Sequence, residues 1–237
     1  MRRRFFVDQF KNQRAVMEGE AAHHLGRVLR AQPGQLYELS DGTSVWLGRI
    51  DIVNRDRVEF ELTEPLPSEA SHLETTLLLS VVKFDAFEWA LEKATELGVT
   101  RIVPLAAARS EKALLAAVPK RAERWRKILL ESSQQCRRVQ VPVLEALTKP
   151  EKAFTPQEGL RILLSESPDV KPLREMLTGV HSSMAVLAVG PEGGWTEGEF
   201  AAAREAGFAE ASLGKLILRA ETAVIASLAS IRFALGA

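Results

Sequence analysis

The chain has 237 residues, with 31 lysines and arginines balanced by 31 acids. A hydrophobic share of 46% and a charged share of 26% are typical of a soluble globular protein, and the length suits one large or two small domains. No uncharged apolar run reaches about 18 residues, which excludes a transmembrane helix. A single cysteine excludes an internal disulfide and a cysteine zinc site. The basic N-terminus has no apolar segment behind it, so we expect a cytoplasmic protein rather than a secreted one.

The basic residues are unevenly distributed although the net charge is zero. Residues 1–30 carry seven lysines and arginines against three acids, and residues 120–138 carry seven against two. In the second segment, Arg121, Arg124 and Lys127 are best interpreted as the solvated face of a helix. In the first segment RNA binding is favoured, because the basic residues crowd a small domain with no other evident role. They are Arg2, Arg3, Arg4, Arg27 and Arg30.

Residues 1–68 are predicted to form a small β-barrel domain. Short alternating segments separated by turn signals at Pro33-Gly34 and Asp41-Gly42 indicate its strands, around Phe5 and at 36–39, 45–53 and 57–62. The one predicted helix spans 20–30 and places Arg27 and Arg30 about one turn apart. His23 and His24 lack further ligands, so no metal site is expected. The Pro- and Ser-containing stretch at 64–72 is predicted to be a linker.

Residues 73–237 alternate between strand and helix patterns, which predicts a mostly parallel sheet in an α/β domain. The predicted strands are 77–82, 102–105, 161–164 and 184–189. Asp85 and Glu88 are expected to cap the next helix, and Gly98 to end it. Cys136 falls on the apolar face of a later helix, so we interpret it as structural rather than catalytic.

The sequence GPEGGW, from Gly190 to Trp195, lies between the strand at 184–189 and a helix. Its glycines would let the backbone approach a ligand closely. Thr196 and Glu199 have the spacing of a capping box, and Gly207 suits a left-handed helix stop. Such a loop can bind a ligand at a helix N-terminus, but it can equally be an ordinary tight connection.

A second segment, SLGKLILRAETA from Ser212 to Ala223, has a similar organisation. A short strand is predicted at 211–213, a break at Gly214-Lys215 and a buried helix at 219–235. Three polar residues, Arg219, Glu221 and Thr222, open this helix. A carboxylate suits the positive end of the helix dipole, whereas the cation of Arg219 does not. Arg219 is therefore expected to have another partner.

These segments, together with RRFFV, HHLGRVLR, EKATELGVTRIVPL and RWRKILLESSQQCRR, resemble the RsmE-like ribosomal RNA uridine-N3 methyltransferases of the SPOUT class. The resemblance spans essentially the whole chain. It implies an N-terminal PUA-like RNA-binding domain at 1–68 and a SPOUT methyltransferase domain at 73–237 whose chain forms a trefoil knot. It also implies S-adenosylmethionine as cofactor, no metal, and a homodimer that acts on small-subunit ribosomal RNA, in the assembled 30S subunit.

The resemblance assigns the cofactor contacts to three loops and adds Arg109 to the RNA-binding residues. Two departures from the family occur: Ser165-Glu166-Ser167-Pro168 replaces a His-Pro-type sequence, and Ala107-Ala108 replaces residues that are commonly polar. The expected cofactor-binding residues are Leu164, Ser165, Glu166, Gly190, Glu192, Gly193, Gly194, Leu213, Gly214, Ile217, Leu218, Arg219 and Thr222.

Methylation of uridine N3 requires loss of the N3 proton, so the family's chemistry calls for a base or for a cation that stabilises the developing anion. Arg219 is the expected cation, and Glu192 and Glu221 are the candidate bases. Two alternatives stay open at this point. One is a SPOUT enzyme that acts on another RNA or another atom, and the other is a non-catalytic RNA-binding protein of ribosome assembly.

Overall fold

A computed structural model describes residues 3–68, 72–156, 158–167 and 169–236. Arg2 and Pro168, which figure in the sequence analysis, lie outside these ranges. The chain divides into two compact units. The first contains the described residues up to 68 together with Ser133–Val141, and the second contains the remainder. Within the described ranges, no helix combines the length and the apolar character needed to cross a membrane.

The first unit is built on a six-stranded sheet in the order β1-β4-β5-β6-β3-β2. β1 pairs with β4 in parallel, and the other neighbours are antiparallel. Alternating side chains, among them Phe5, Leu39, Ile50 and Phe60, form its buried core. The strands are β1 Arg4–Phe6, β2 Phe10–Lys11, β3 Arg14–Glu18, β4 Leu36–Ser40, β5 Val45–Val53 and β6 Arg57–Leu66.

The strand β6 is longer than predicted and includes the first residues of the predicted linker, 64–72, of which 69–71 lie outside the described ranges. Val45 pairs with Leu66 and Trp46 with Pro65, which extends the β5–β6 ladder into the segment predicted as linker. A proline is accepted here because it lies close to the end of the strand, where one lost ladder hydrogen bond costs little.

The predicted helix at 20–30 is shorter and less regular in the structure. It consists of α1, Gly19–His23, followed by one π-helical turn, His24–Val28. Arg30 has a φ of +51°, and the Ala31 N–H donates to the Leu25 carbonyl at 3.1 Å. This bond reaches six residues back along the chain and follows a left-handed residue, and together they end the helical segment. Arg27 and Arg30 therefore do not share one helical face, although both are exposed.

Arg4 is a structural residue and not the RNA contact that the sequence predicted. It is 8% exposed, and its Nε and Nη2 donate to Glu38 Oε2 at 3.1 and 2.9 Å. Arg137, from the segment Ser133–Val141, lies 3.4 Å from the other oxygen of Glu38, and Arg4 donates to the Arg137 carbonyl. Arg4 thus holds this segment within the first unit. A buried guanidinium with these partners cannot reach RNA.

The second unit contains a six-stranded sheet in which every pair is parallel, as predicted. The strand order is β12-β10-β11-β7-β8-β9. Of the two central strands, β11 is apolar along its whole length and β7 is apolar at 77–79, as expected where helices cover both faces of a parallel sheet. The strands are β7 Glu74–Ser80, β8 Arg101–Leu105, β9 Val143–Leu144, β10 Leu160–Leu164, β11 Met184–Val189 and β12 Ala209–Ala211. The short strand predicted at 211–213 therefore lies two residues earlier.

In the described part of the chain, the helices that accompany the sheet are α2 Phe84–Glu96, α3 Lys112–Gln135, α4 Pro150–Ala153, α5 Leu173–Leu177, α6 Glu197–Glu205 and α7 Ala220–Leu235. The predicted capping of α2 by Asp85 and Glu88 is wrong. The N-cap residue is Lys83, without a side-chain bond, and both oxygens of the buried Glu88 carboxylate accept a bifurcated hydrogen bond from Arg124 Nε, at 2.9 and 2.8 Å. Gly98, with a φ of +90°, does end the helix.

Two cations of the basic helix α3 contact α2, whereas the sequence predicted only a solvated face. Arg124 binds Glu88, Arg121 lies 3.5 Å from the same carboxylate, and the Arg121 guanidinium stacks over the Phe84 ring at 4.6 Å. Cys136 follows the end of α3 and is half-buried. Its thiol lies 3.9 Å from the Ser133 carbonyl, which fits a structural residue.

Candidate functional site

A cavity of about 580 Å³ opens in the second unit where three neighbouring parallel strands end. β12, β10 and β11 are adjacent in the sheet, and the loop that follows each of them lines the cavity. In open parallel sheets ligands bind outside the carboxyl ends of the strands, where loop amides and helix N-termini are free. Position alone therefore identifies the cavity as a ligand site.

The glycine loop after β11 needs its glycines for packing. A Cβ at Gly190 would lie 3.1 Å from the Trp195 indole, and one at Gly193 would lie 3.2 Å from Arg109 Cβ. Gly194 has a φ of +70° and closes a turn by donating to the Pro191 carbonyl at 2.8 Å. The loop is thus packed tightly and leaves its backbone at the cavity.

Trp195, at the end of the glycine loop, joins that loop to the one that follows β10, residues 164–167, which is called the first loop below. Its Nε1 donates to the Leu164 carbonyl at 3.0 Å, and its ring packs edge-on against Phe154. The first loop is fixed further by Ser165, whose N–H donates to the Ala211 carbonyl at 3.0 Å. All three loops are therefore linked by hydrogen bonds at the strand ends.

The third loop runs from Leu213 to Leu218 and leads into α7. Leu216 and Ile217 line the cavity and are 80% and 82% exposed. Arg219 is the N-cap residue of α7, lines the cavity and is exposed. Its side chain makes no hydrogen bond or ion pair within the described ranges, so the guanidinium is available to a ligand in the cavity.

A fourth segment reaches the cavity from the end of β8. The Ser110 N–H donates to the Ala107 carbonyl at 3.0 Å, which forms a turn over residues 107–110. Arg109 lines the cavity from this turn, and its Nη1 donates to the Gly193 carbonyl at 2.8 Å. Ala108 N–H donates to Glu199 Oε1, also at 2.8 Å. The turn is called the Arg109 turn below.

The predicted capping box at the start of α6 is present. Thr196 accepts from the Glu199 N–H at 3.3 Å, and Glu199 Oε2 accepts from the N–H and the hydroxyl of Thr196 at 2.8 and 2.9 Å. Gly207, with a φ of +77°, ends the helix as expected. These bonds fix the direction in which α6 leaves the glycine loop.

The structure brings most of the predicted cofactor-binding residues into one cavity. Those that line it are Leu164, Ser165, Glu166, Gly190, Glu192, Gly193, Gly194, Leu213, Gly214, Ile217, Leu218 and Arg219. Glu221 and Thr222 do not line it. Glu221 is buried in the first turn of α7, where the helix dipole favours its negative charge, and Thr222 is exposed elsewhere.

Several lining residues were not predicted. Trp195 and Lys215 lie inside the two motifs and could have been found from their place there, whereas Phe200 belongs to α6, outside both motifs. The cavity is lined by three cations, Arg109, Lys215 and Arg219, and by two exposed carboxylates, Glu166 and Glu192. This composition suits a polar ligand with anionic groups. Among the described residues no group of histidines, cysteines and acids could hold a metal ion.

Residues 69–232 match a family model described as an RNA methyltransferase domain, and residues 18–63 match one described as an RNA methyltransferase PUA domain. The ribosomal RNA small subunit methyltransferase E of Synechocystis sp. is 35% identical over 220 residues, which cover 88% of this chain and 69% of that protein. The protein of the same name from Aquifex aeolicus is 30% identical, over 89% and 90% of the two chains.

Solved structures agree in fold over the full length. The crystal structure of ribosomal RNA small subunit methyltransferase E from Neisseria gonorrhoeae, bound to S-adenosylmethionine, has a TM-score of 0.88 at 30% identity and covers 100% of this chain and 99% of that one. A protein of Legionella pneumophila, solved with S-adenosylmethionine as the bound cofactor, has a TM-score of 0.90 at 28% identity, with the same coverage.

The two matching family models, together with a parallel α/β unit that has a cavity at its strand ends, show that the protein is an RNA methyltransferase with a PUA domain. Within that class, the chain belongs to the ribosomal RNA small subunit methyltransferase E family.

Proposed function

We propose that this protein transfers the methyl group of S-adenosylmethionine to N3 of a specific uridine in 16S ribosomal RNA. The observation that carries the proposal is the position of Arg219, a cation without a protein partner in the described ranges, at the cavity formed by three strand-end loops. The bound cofactor in the relative from Neisseria gonorrhoeae, and the names of the relatives, support the choice of cofactor and RNA.

The cavity fits the cofactor in size and in chemistry. A volume of about 580 Å³ lies within the usual range of small-molecule sites, roughly 300–1,000 Å³. The glycine loop, the loop of Leu164 to Glu166 and the loop of Leu213 to Leu218 supply backbone groups and apolar walls. When bound there, S-adenosylmethionine supplies a methyl group on a positively charged sulfur.

The residues of this chain then have to position the uridine and assist the removal of one proton. N3 of uridine carries a proton that must leave before or during attack, and the negative charge that develops is stabilised by a nearby cation. Arg219 provides that cation. Glu192 is exposed at the cavity and is the remaining candidate base, since Glu221 does not reach the cavity.

The first unit and the Arg109 turn supply the RNA contacts in this proposal. Arg3, Arg27 and Arg30 are exposed on the first unit, and Arg109 is exposed at the cavity. Side chains of this kind bind phosphate oxygens and position RNA without reading its sequence. The substrate is the small-subunit RNA in the assembled 30S particle, and the enzyme works in the cytoplasm.

The proposal includes a homodimer and a trefoil knot, as in the family that the sequence resembles. Sedimentation of the purified protein should return twice the chain mass of 26.1 kDa. A sedimentation mass equal to that of one chain would contradict the homodimer. The knot stays a prediction, because the strand order does not trace how the chain passes through its own loops.

Identification of the product tests the proposed function. Small ribosomal subunits from cells that lack the modification are incubated with the protein and S-adenosylmethionine labelled in its methyl group. The RNA is then digested and the labelled nucleotide is identified by mass. We expect label in a single N3-methyluridine. Label on another atom or another RNA would contradict the substrate, and cofactor binding without any transfer would indicate a non-catalytic RNA-binding protein.

A further inference from the structure

Glu199 makes a contact that the capping of α6 does not require. The residue is 1% exposed and does not line the cavity. Its Oε2 alone completes the capping box with Thr196. The other oxygen, Oε1, accepts the Ala108 N–H at 2.8 Å, from a residue 91 positions earlier in the chain.

This contact joins two segments that follow different strands of the sheet. Ala108 occupies the second position of the Arg109 turn, which follows β8, whereas Glu199 belongs to the helix after β11. A hydrogen bond from a backbone N–H to a buried carboxylate is stronger than one between neutral groups. Ser110 Oγ also donates to the Val81 carbonyl at 2.9 Å, so the turn is held at both ends.

Arg109 is the next residue, and its position depends on that of the turn. Its side chain packs on Gly193, and its Nη1 donates to the Gly193 carbonyl at 2.8 Å. A guanidinium has five N–H donors, so one such bond leaves donors for a second partner. Arg109 is exposed and, within the ranges described, has no ion-pair partner.

We propose that Glu199 is a positioning residue for RNA binding. Through the Ala108 N–H it holds the Arg109 turn against the glycine loop, and thereby aims the Arg109 guanidinium at an RNA phosphate that enters the cavity. This inference rests on the proposed function, because it takes RNA as the substrate. It assigns to Glu199 a role in RNA affinity, separate from its contribution to the stability of α6.

The substitution Ala108→Pro isolates the contact. Proline is favoured at the second position of such turns and has no N–H, so the turn is kept while the bond to Glu199 is lost. We expect KM for small ribosomal subunits to rise about tenfold, and the slope of log affinity against log salt to fall by about one, because one phosphate contact is lost. The Kd for S-adenosylmethionine should stay within about threefold of the wild-type value.

A double-mutant cycle with Arg109→Ala separates positioning from a general structural effect. If Glu199 acts through Arg109, Ala108→Pro has no further effect on RNA affinity once Arg109 is removed. If the losses of RNA affinity in the two single variants multiply in the double variant, the proposal is overturned. A wild-type KM for small ribosomal subunits in Ala108→Pro would also overturn it. Thr196→Val, which weakens only the capping box, should lower thermal stability and combine with Arg109→Ala independently.

Glu199→Gln is the direct variant, and Glu197→Gln is its control in the same helical turn. The Glu197 side chain is 95% exposed. Glu199→Gln leaves one acceptor oxygen for the donors of Ala108 and Thr196, so it should lower RNA affinity in the same direction as Ala108→Pro but by less, with wild-type RNA affinity in Glu197→Gln. If Glu199→Gln does not fold, the double-mutant cycle of Ala108→Pro with Arg109→Ala still tests the proposal.

The double-mutant cycle of Ala108→Pro and Arg109→Ala can also be measured by equilibrium binding to the same small ribosomal subunits, without methyl transfer. If the wild-type protein binds them but does not methylate them, the proposed function fails and the positioning role is still measured. No binding by the wild-type protein would overturn both.

Discussion

The glycine loop packs closely against two side chains at the cavity. Gly190 lies under the Trp195 ring and Gly193 under the Arg109 side chain, so a Cβ at either position would be crowded. Arg4 and Arg219 show how two arginines differ in role. Arg4 is buried against Glu38, whereas Arg219 is exposed at the cavity without a partner in the described part of the chain. Only the second can act on a ligand.

Gly190→Ala should weaken cofactor binding. The added methyl group would meet the indole at 3.1 Å and push Trp195 from the Leu164 carbonyl, which loosens the first loop. Overpacking of this kind costs about 1–3 kcal/mol, so we expect the Kd for S-adenosylmethionine to rise about tenfold or more in calorimetric titration.

Gly198→Ala is the matched control for that substitution. Position 198 lies in the first turn of α6, and a Cβ there meets nothing within 4 Å. Because alanine is a better helix former than glycine by up to about 1 kcal/mol, this variant should be as stable as the wild type or more stable. Its affinity for the cofactor should not change. Equal affinities in the two variants would show that Trp195 does not organise the first loop.

Among the elements, those with a complete local signal were predicted well. The strands Met184–Val189 and Val45–Val53 have the bounds that apolar patterning indicated, and the capping box of Thr196 and Glu199 forms as expected. These features depend on residues that are neighbours along the chain or are repeated with a fixed period.

Elements whose ends depend on distant partners were predicted less well. Glu88 fits a cap in the sequence but binds Arg124, 36 residues away. The strand β6 continues past the predicted end because β5 is there to pair with it. The cavity itself was predicted from a resemblance, since no periodicity places three loops side by side. For the same reason the bond between Ala108 and Glu199 had no signal in the sequence.

The hairpin between β4 and β5 should give the first unit a stability that depends on pH. Burial acts to raise the pKa of Asp41, but four hydrogen bonds from Thr43 and Ser44 outweigh it and hold the pKa below its ordinary value of 3.8. A carboxyl whose pKa is lowered by folding stabilises the folded state fully above its unfolded pKa. That contribution is lost as the pH falls through the folded pKa.

Asp41→Ala should therefore destabilise the β4–β5 hairpin at pH 7 by about 1 kcal/mol and by much less near pH 2. Hydrogen exchange of the amides in β4 and β5 measures the difference. Asp51→Ala is the control, because Asp51 is an exposed acid on β5 whose 3.4 Å ion pair with Arg14 is worth little. A loss of equal size at both pH values would contradict the role of the Asp41 carboxylate.

At the scale of the whole molecule, the two units divide the proposed work. The first unit carries exposed arginines on a PUA domain, and the second carries the cavity with its glycine loop. A net charge of zero gives no general attraction to RNA, so affinity depends on local contacts such as those of Arg27, Arg30 and Arg109. In the proposed mechanism the chemical step depends on Arg219, the cation that lies at the cavity at the start of α7.

The most direct test is the rate of a single round of methyl transfer, with saturating cofactor and small ribosomal subunits, in the wild type and in Arg219→Ala. The wild type should form N3-methyluridine. Loss of a cation that stabilises the developing anion should slow the step about 100-fold or more even though the cofactor is saturating. An Arg219→Ala variant that forms N3-methyluridine at the wild-type rate would contradict the role of Arg219 as the cation that stabilises the reacting uridine.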